Sequence, residues 1–373
     1  MPGVRRIYLD HAATTPLDPV VREAMARALD GPYGNPSSQH WAGREAVRLL
    51  DDARDTIAQS LDAQAAEVCF TSGGTEAANL AVLGRAVQMR GGRVVVGATE
   101  HHCVLRAADL AGSLGGSVHV LAVDSQGLVN PDDVRDALAE PTAVVSVMHA
   151  NNETGTLQPV ADIARICAER ETAFFCDAVQ TWGVLPLPEA DLLAVSAHKA
   201  YGPKGVGTLR IRPGTRVQPM LVGGGQERER RAGTENLLGI VGMAAAAMAL
   251  PLNAAEHLTR VRDAFETEVL ERMDGVQVSS AAVPRHPGIC HLTIEGVSAE
   301  SLLIRLDQVG LAASSGAACS SGAIEASHVL LAMGFSPQQA ATGVRFSFGR
   351  TTTIEEAQLA AEKVTEAVRA LRR

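Results

Sequence analysis

Short apolar runs rich in β-branched residues alternate with longer stretches of mixed polarity along the first two thirds of the chain. The runs are Val68 to Thr71, Arg93 to Val96, Val118 to Leu121, Ala143 to Met148, Ala173 to Cys176, Leu192 to Val195 and Thr208 to Ile211. Helix-like segments such as Ala77 to Val87 and Val160 to Glu171 lie between them. A run as continuous as Ala143-Val144-Val145-Ser146-Val147-Met148 fits a strand covered on both faces, the habit of parallel sheets flanked by helices. The pattern predicts an α/β fold with a mostly parallel sheet. The nearly uncharged stretch Leu237 to Leu252 is shorter than the about 20 residues a bilayer requires, and reads as a buried helix. After Leu250-Pro251-Leu252 the style changes to a charged helix, His257 to Met273, then short strands and a last helix, Ile354 to Leu371. A domain boundary is expected at that change. No internal repeat and no low-complexity linker interrupts the chain.

Composition narrows the class. Of 373 residues, 46% are hydrophobic and 20% charged, enough apolar surface for a packed core and unlike a disordered chain. The formal net charge of −9 speaks against a general nucleic-acid binder. The start, Met-Pro-Gly-Val-Arg-Arg-Ile-Tyr-Leu-Asp, has no apolar core of a secretory signal, so a cytoplasmic location is expected, with no membrane association. The six cysteines, Cys69, Cys103, Cys167, Cys176, Cys290 and Cys319, contain no CxxC spacing. Neither a disulfide framework nor a bound metal is expected.

In α/β sheets ligands collect at the carboxyl ends of strands, so residues that follow the apolar runs carry the chemistry. Thr71-Ser72-Gly73-Gly74-Thr75-Glu76 precedes a helix, and free backbone N–H groups there can cradle a phosphate, although Ser and Thr are also ordinary N-caps. Its spacing is neither that of a Walker loop nor that of a dinucleotide fingerprint. Asp177-Ala178-Val179-Gln180 follows one strand and Ser196-Ala197-His198-Lys199 the next. An acid at one strand end and a lysine at the next are the two parts a pyridoxal phosphate site needs: the amine condenses with the aldehyde and the carboxylate keeps the pyridine nitrogen protonated. Taken singly, Asp177 reads as a strand-end cap and Lys199 as a solvated charge.

Thr99-Glu100-His101-His102 follows another strand; an imidazole there can stack on the ring and relay a proton, and no ligand spacing for a metal accompanies it. Asn151-Asn152-Glu153-Thr154-Gly155 reads as a turn, or as a source of an amide for the ring oxygen. In the second half, Ser314-Ser315-Gly316-Ala317-Ala318-Cys319-Ser320-Ser321-Gly322 reads as a mobile, exposed loop whose thiol is a candidate nucleophile. Arg345, in the strand-like Val344-Arg345-Phe346-Ser347-Phe348, calls for a carboxylate partner. An amino-acid substrate could supply it; an internal salt bridge is the plainer alternative.

Together these segments resemble the pyridoxal-phosphate-dependent cysteine desulfurases of the NifS/IscS type, first group, within the fold-type-I aminotransferase class V superfamily. The resemblance begins at Tyr8-Leu9-Asp10-His11-Ala12-Ala13-Thr14-Thr15-Pro16 and Gly34-Asn35-Pro36-Ser37-Ser38-Gln39-His40. It continues through Gly223-Gly224-Gly225-Gln226-Glu227 and Arg231-Ala232-Gly233-Thr234-Glu235-Asn236 to Cys319 and Arg345-Phe346-Ser347. It implies a fold-type-I transferase: a large domain, 16–252, with a mostly parallel mixed sheet wrapped by helices, and a smaller α+β domain, 1–15 with 253–373, carrying the cysteine loop at about 314–327.

The resemblance also implies a homodimer in which Lys199 holds pyridoxal 5'-phosphate, Asp177 pairs with the pyridine nitrogen and His101 stacks on the ring. Asn152 and Gln180 would bond the ring's phenolic oxygen. Gly74, Thr75, Ser196 and His198 would hold the phosphate, joined by Thr234 from the other subunit. Arg345, with Asn35 nearby, would grip the carboxylate of L-cysteine, and Cys319 would take its sulfur as a persulfide, leaving L-alanine. The sulfur would pass to an acceptor protein, a scaffold for iron–sulfur clusters or a tRNA-thiolation enzyme, with no direct nucleic-acid contact. Ala326 stands where the family often has proline and Gly74 where alanine is common, and the chain ends soon after Leu371, without the tail that some members use to dock a scaffold. Two other readings remain at this stage. One is a different fold-type-I aminotransferase or lyase, for which a loop thiol has no use; the other is a sulfur-relay subunit that turns over only with an activating partner.

Overall fold

The structure is a computed structural model and describes residues 5–316 and 326–373. The strands in chain order are β1 (Ile7–Tyr8), β2 (Val68–Thr71), β3 (Arg93–Gly97), β4 (Val118–Leu121), β5 (Thr142–Ser146), β6 (Ala173–Asp177), β7 (Leu192–Ser196), β8 (Gly207–Ile211), β9 (Val276–Val278), β10 (Ile289–Ile294), β11 (Leu311–Ala312) and β12 (Gly343–Ser347). Seven of them form one sheet in the order β2-β8-β7-β6-β5-β3-β4. Its pairs are parallel from β4 to β7, while β8 runs antiparallel to both β7 and β2. This is the mostly parallel sheet that the apolar runs predicted, with the mixed character that the resemblance implied.

Alternation along each strand fills both faces of that sheet. Val95, Val145, Phe174, Cys176, Leu193 and Val195 enter one core. Their neighbours Val94, Val96, Val144, Phe175, Leu192 and Ala194 enter the other. A strand with helices on both sides has no face left for polar residues, which is why these segments read as unbroken apolar runs. The helix Gly74–Gln88 packs on one face, and its Ala77, Ala78, Leu80, Ala81 and Val82 are buried. The helices Trp41–Ser60, Val160–Glu169 and Leu237–Met248 cover the other face. No helix among the described residues is long and apolar enough to cross a membrane.

A separate core joins the chain's beginning to its last third. Ile7 and Leu9 pack with Leu258, Val261 and Phe265 of the helix Ala254–Arg272, with Cys290, Leu292 and Phe346, and with Val364 and Val368 of the helix Ile354–Leu371. β9, β10 and β12 form a three-stranded antiparallel sheet there, in the order β12-β10-β9. β1 lies parallel to β11, with Ile7 opposite Leu311.

Candidate active site

All parallel strands of the large sheet, and β2 with them, end on the same side. The loops that leave those ends line one cleft of about 350 Å³ with Gly74, Thr75, His101, Asn152, Asp177, Gln180, Ser196, His198 and Lys199. The second core closes it from across with Ser314, Gly316, His328 and Arg345, and Ala12 and Ala13 line it from the N-terminal segment. Strand-end residues far apart in the chain thus meet because the sheet brings its carboxyl edge together.

At one end of the cleft the helix Gly74–Gln88 begins, with no side-chain cap at Gly73. Its first-turn N–H groups have no acceptors within the helix and carry the positive end of its dipole. Beside them the Ser196 hydroxyl is buried and makes no hydrogen bond among the described residues. An orphaned hydroxyl at an uncapped helix start fits an anionic group that accepts from both, such as a phosphate. A Cβ on Gly74 would come within 2.9 Å of Val179 Cγ2, so an alanine here requires Val179 to move. His198 flanks this end with Nδ1 3.2 Å from Thr14 Oγ1. Burial, then the charges of Lys199 and Lys204, push its pKa down to about 4.

Lys199 stands at the end of a short 3-10 turn after β7. Nζ donates to the carbonyl oxygens of Ala12 (2.5 Å) and Ala13 (2.8 Å). Burial and the charge of Arg345 lower its pKa to about 8, against the opposing pull of Asp177 and Asp10. The solvated-lysine reading therefore fails: this amine is enclosed and gives up its proton more easily than an ordinary lysine. Asp177, at the end of β6, is buried, and Oδ1 accepts from the Val179 N–H at 2.9 Å. Burial raises its pKa to about 6, countered by that N–H and by Lys199. No ion pair within bonding distance neutralises it among the described residues, which leaves a buried carboxylate able to face a protonated ring nitrogen.

His101 caps the helix His102–Ser113, its Nδ1 accepting from the Cys103 N–H at 3.1 Å. A nitrogen that accepts carries no proton, so the neutral ring holds its proton on Nε2. Burial among cleft atoms, then Lys199, His102 and His328, push its pKa down to about 4. Gln180 Nε2 donates to the Ala12 carbonyl at 3.0 Å. Arg345, in β12, is 3% exposed. Nη1 donates to the Asn152 carbonyl at 2.7 Å and Nη2 to Asp10 Oδ1 at 2.8 Å, and Nε is buried with no partner among the described residues.

Not every expected residue is brought here. Asn35 is exposed and accepts the Ser37 N–H on its own side chain, and Thr234 is exposed on the turn before the helix that starts at Leu237; neither lines the cleft. Cys319 lies outside the described residues. The sequence reading also missed three acids. Glu100 is 1% exposed and accepts from the Met148 N–H (2.5 Å) and from the Ser146 hydroxyl (3.2 Å). Glu153 accepts from the Ser327 hydroxyl at 2.5 Å. Asp10 holds Arg345. Only Asp10 left a signal: a strand arginine among apolar neighbours wants a carboxylate, and Asp10 stands in the N-terminal motif.

An enclosed amine of lowered pKa, an unpaired buried carboxylate, a neutral imidazole and an anion cradle make a cleft able to hold pyridoxal phosphate, which the phosphate-end orphan and the donor set both fit. Comparison with known proteins points the same way. The aminotransferase class-V family model matches residues 7–359. A cysteine desulfurase IscS of Dictyoglomus turgidum is 43% identical over 94% of this chain and 92% of its own. A putative cysteine desulfurase IscS 1 of Bacillus subtilis is 41% identical over 99% of this chain and 100% of its own. A solved NifS-like protein superposes with a TM-score of 0.89 at 34% identity, covering 97% of this chain and 99% of that one.

Proposed function

Because the chain belongs to the class-V aminotransferases and, among them, to the cysteine desulfurases, we propose a residue-by-residue account of how its cleft serves that reaction. The enzyme depends on pyridoxal phosphate. It converts L-cysteine to L-alanine: the substrate's Cβ–S bond breaks, its sulfur joins an enzyme thiol as a persulfide, and a proton goes to Cβ. Bound pyridoxal phosphate supplies an electron sink that makes the substrate's Cα proton removable.

The chain's own groups do the rest. Gly74 and Thr75 N–H groups with the Ser196 hydroxyl and His198 hold the phosphate, and Asp177 holds the pyridinium proton. Lys199 Nζ would hold the cofactor's aldehyde, and with its lowered pKa the free amine would serve as base for the Cα proton. His101 would stack on the ring, with its proton at Nε2 and its Nδ1 occupied by the helix cap. Asn152 and Gln180 orient the ring edge, and Arg345 receives the substrate carboxylate on its unpartnered Nε edge. Cys319 is the thiol that attacks the sulfur. The observation that carries this reading is the convergence of Lys199, Asp177 and the orphaned Ser196 hydroxyl in one cleft. The test is alanine formed from L-cysteine under anaerobic, reducing conditions, beside Cys319→Ser. Alanine from the natural protein alone supports the assignment, and equal alanine from both places the nucleophile elsewhere.

The same reading takes the chain as a homodimer with Thr234 reaching the partner's phosphate site. It is supported by the exposure of Thr234 and by large apolar side chains on the surface, among them Tyr33, Trp41 and Val222. Light scattering reads the mass. It divides the chain into 16–252 and a second unit of 1–15 with 253–373, in keeping with the separate core that Ile7 and Leu9 share with residues beyond 257. The persulfide's sulfur goes to an acceptor protein, a scaffold for iron–sulfur clusters or a thiolation enzyme, in the cytoplasm; transfer of labelled sulfur to purified acceptors distinguishes them.

A further inference from the structure

Arg345 does not wait for substrate as a bare cation. Its Nη2 is held by Asp10 Oδ1 at 2.8 Å in an ion pair whose side chains are 4% and 22% exposed. Asp10 is firmly placed. Its backbone bridges to Ser347, two residues past Arg345 on the same strand, and the Tyr8 hydroxyl donates to the Asp10 carbonyl at 3.0 Å. The Asp10 charge also acts on Lys199 across the cleft.

We propose that Asp10 is a specificity-determining residue that makes the cleft select α-amino acids over plain carboxylates of the same shape. The proposal rests on the reading of Arg345 as the carboxylate grip. A guanidinium has five N–H donors, and only two of them are used by Asp10 and Asn152, so hydrogen bonds remain for an incoming carboxylate. Its charge does not remain, because Asp10 already balances it and repels a second carboxylate brought alongside. An α-amino acid carries its own ammonium a few bonds from the carboxylate and offsets that repulsion; a plain acid has nothing to offset it. Asp10 thus lowers the attraction of the cleft for carboxylates in general while leaving zwitterions little affected.

The experiment compares L-cysteine with 3-mercaptopropionate, which keeps the thiol and the carboxylate and lacks the amine. The holoenzyme is assayed for KM of L-cysteine and for the inhibition constant of 3-mercaptopropionate, and calorimetry measures 3-mercaptopropionate binding directly. Asp10→Asn keeps an acceptor oxygen toward Nη2 and removes the charge. The ratio of the inhibition constant to KM is expected to fall roughly five- to tenfold in Asp10→Asn. An unchanged or rising ratio overturns the proposal. Cofactor absorbance and thermal melting report whether the variant folds, and Asp10→Ser is the second variant if Asn does not. Arg345→Lys separates the two layers. If it leaves both constants at their natural values, the carboxylate grip itself is wrong and the proposal goes with it. If it weakens both while Asp10→Asn moves neither, Asp10 alone is excluded.

Discussion

Lys199 and Glu100 show how far enclosure, with one nearby charge added, moves a proton. With Lys199 brought down to about 8, the cofactor-free protein is expected to capture pyridoxal phosphate at a rate that climbs with pH through about 8 and levels above it. An ordinary lysine would keep climbing toward 10.5. Rapid-mixing absorbance measures this, and Lys199→Ala should show no borohydride-fixed cofactor. Glu100 moves the other way, up from 4.5 to about 8 through burial and the nearby charge of Asp177. A carboxyl whose folded pKa is raised lends its full stability below its unfolded pKa and loses it as pH rises through the folded one. Glu100→Gln has no such loss, so its melting temperature should gain on the natural protein from pH 4.5 to 8 and hold a constant lead beyond. Asp177 was legible because it directly follows an apolar run, and Lys199 because it closes the short turn after the next one. Glu100 and Glu153 were not, because either could be any of the 42 acids in the sequence, and only the meeting of distant loops buries these two.

The strands and helices read from the pattern were placed nearly to their ends, while the helices Pro19–Leu29, Trp41–Ser60 and His102–Ser113 were not read from it. The run Ala143 to Met148 continues past the strand, which stops at Ser146; there the Met148 N–H goes to the carboxylate of Glu100, while the Val147 and His149 N–H groups still donate to the Phe175 and Asp177 carbonyls of β6. The helix expected to Glu171 stops at Glu169, and Glu171 itself is left-handed at φ 51°. What no pattern announced is the turn Glu227-Arg228-Glu229, three successive non-glycine residues with φ of 48°, 56° and 63°. Such residues resist this conformation, and the turn is held by Arg54. That guanidinium donates to both oxygens of Glu227 at 2.9 and 2.6 Å and lies over the Phe70 ring, while Glu227 also accepts the Phe70 N–H at 2.8 Å. Removing one partner strands a buried charge. Arg54→Met is therefore expected to cost about 3–5 kcal/mol by denaturant unfolding, and adding Glu227→Met to recover much of that.

The molecule as a whole is knit by its first residues. Leu9 is fully buried in the second core, among helices and strands that begin after residue 253. Leu9→Ala should cost about 2–5 kcal/mol. Hydrogen exchange should show the amides of β10 and β12 opening first while those of β6 and β7 keep their protection. The apolar pattern changes near Leu252, but nothing in that pattern says which core the first residues join, since Ile7 and Leu9 would suit either; only the family resemblance assigned 1–15 to the smaller unit. Their choice has a consequence during synthesis. β1 leaves the ribosome about 300 residues ahead of β11, its pairing partner, so at about 5–20 residues per second it waits some tens of seconds unpartnered. The nascent chain can complete its large sheet in that interval, yet it carries an unpaired apolar strand until β11 has been made. Closing so long a loop adds to the barrier of the final step, and chaperone capture of stalled chains ought to map to residues 5–12.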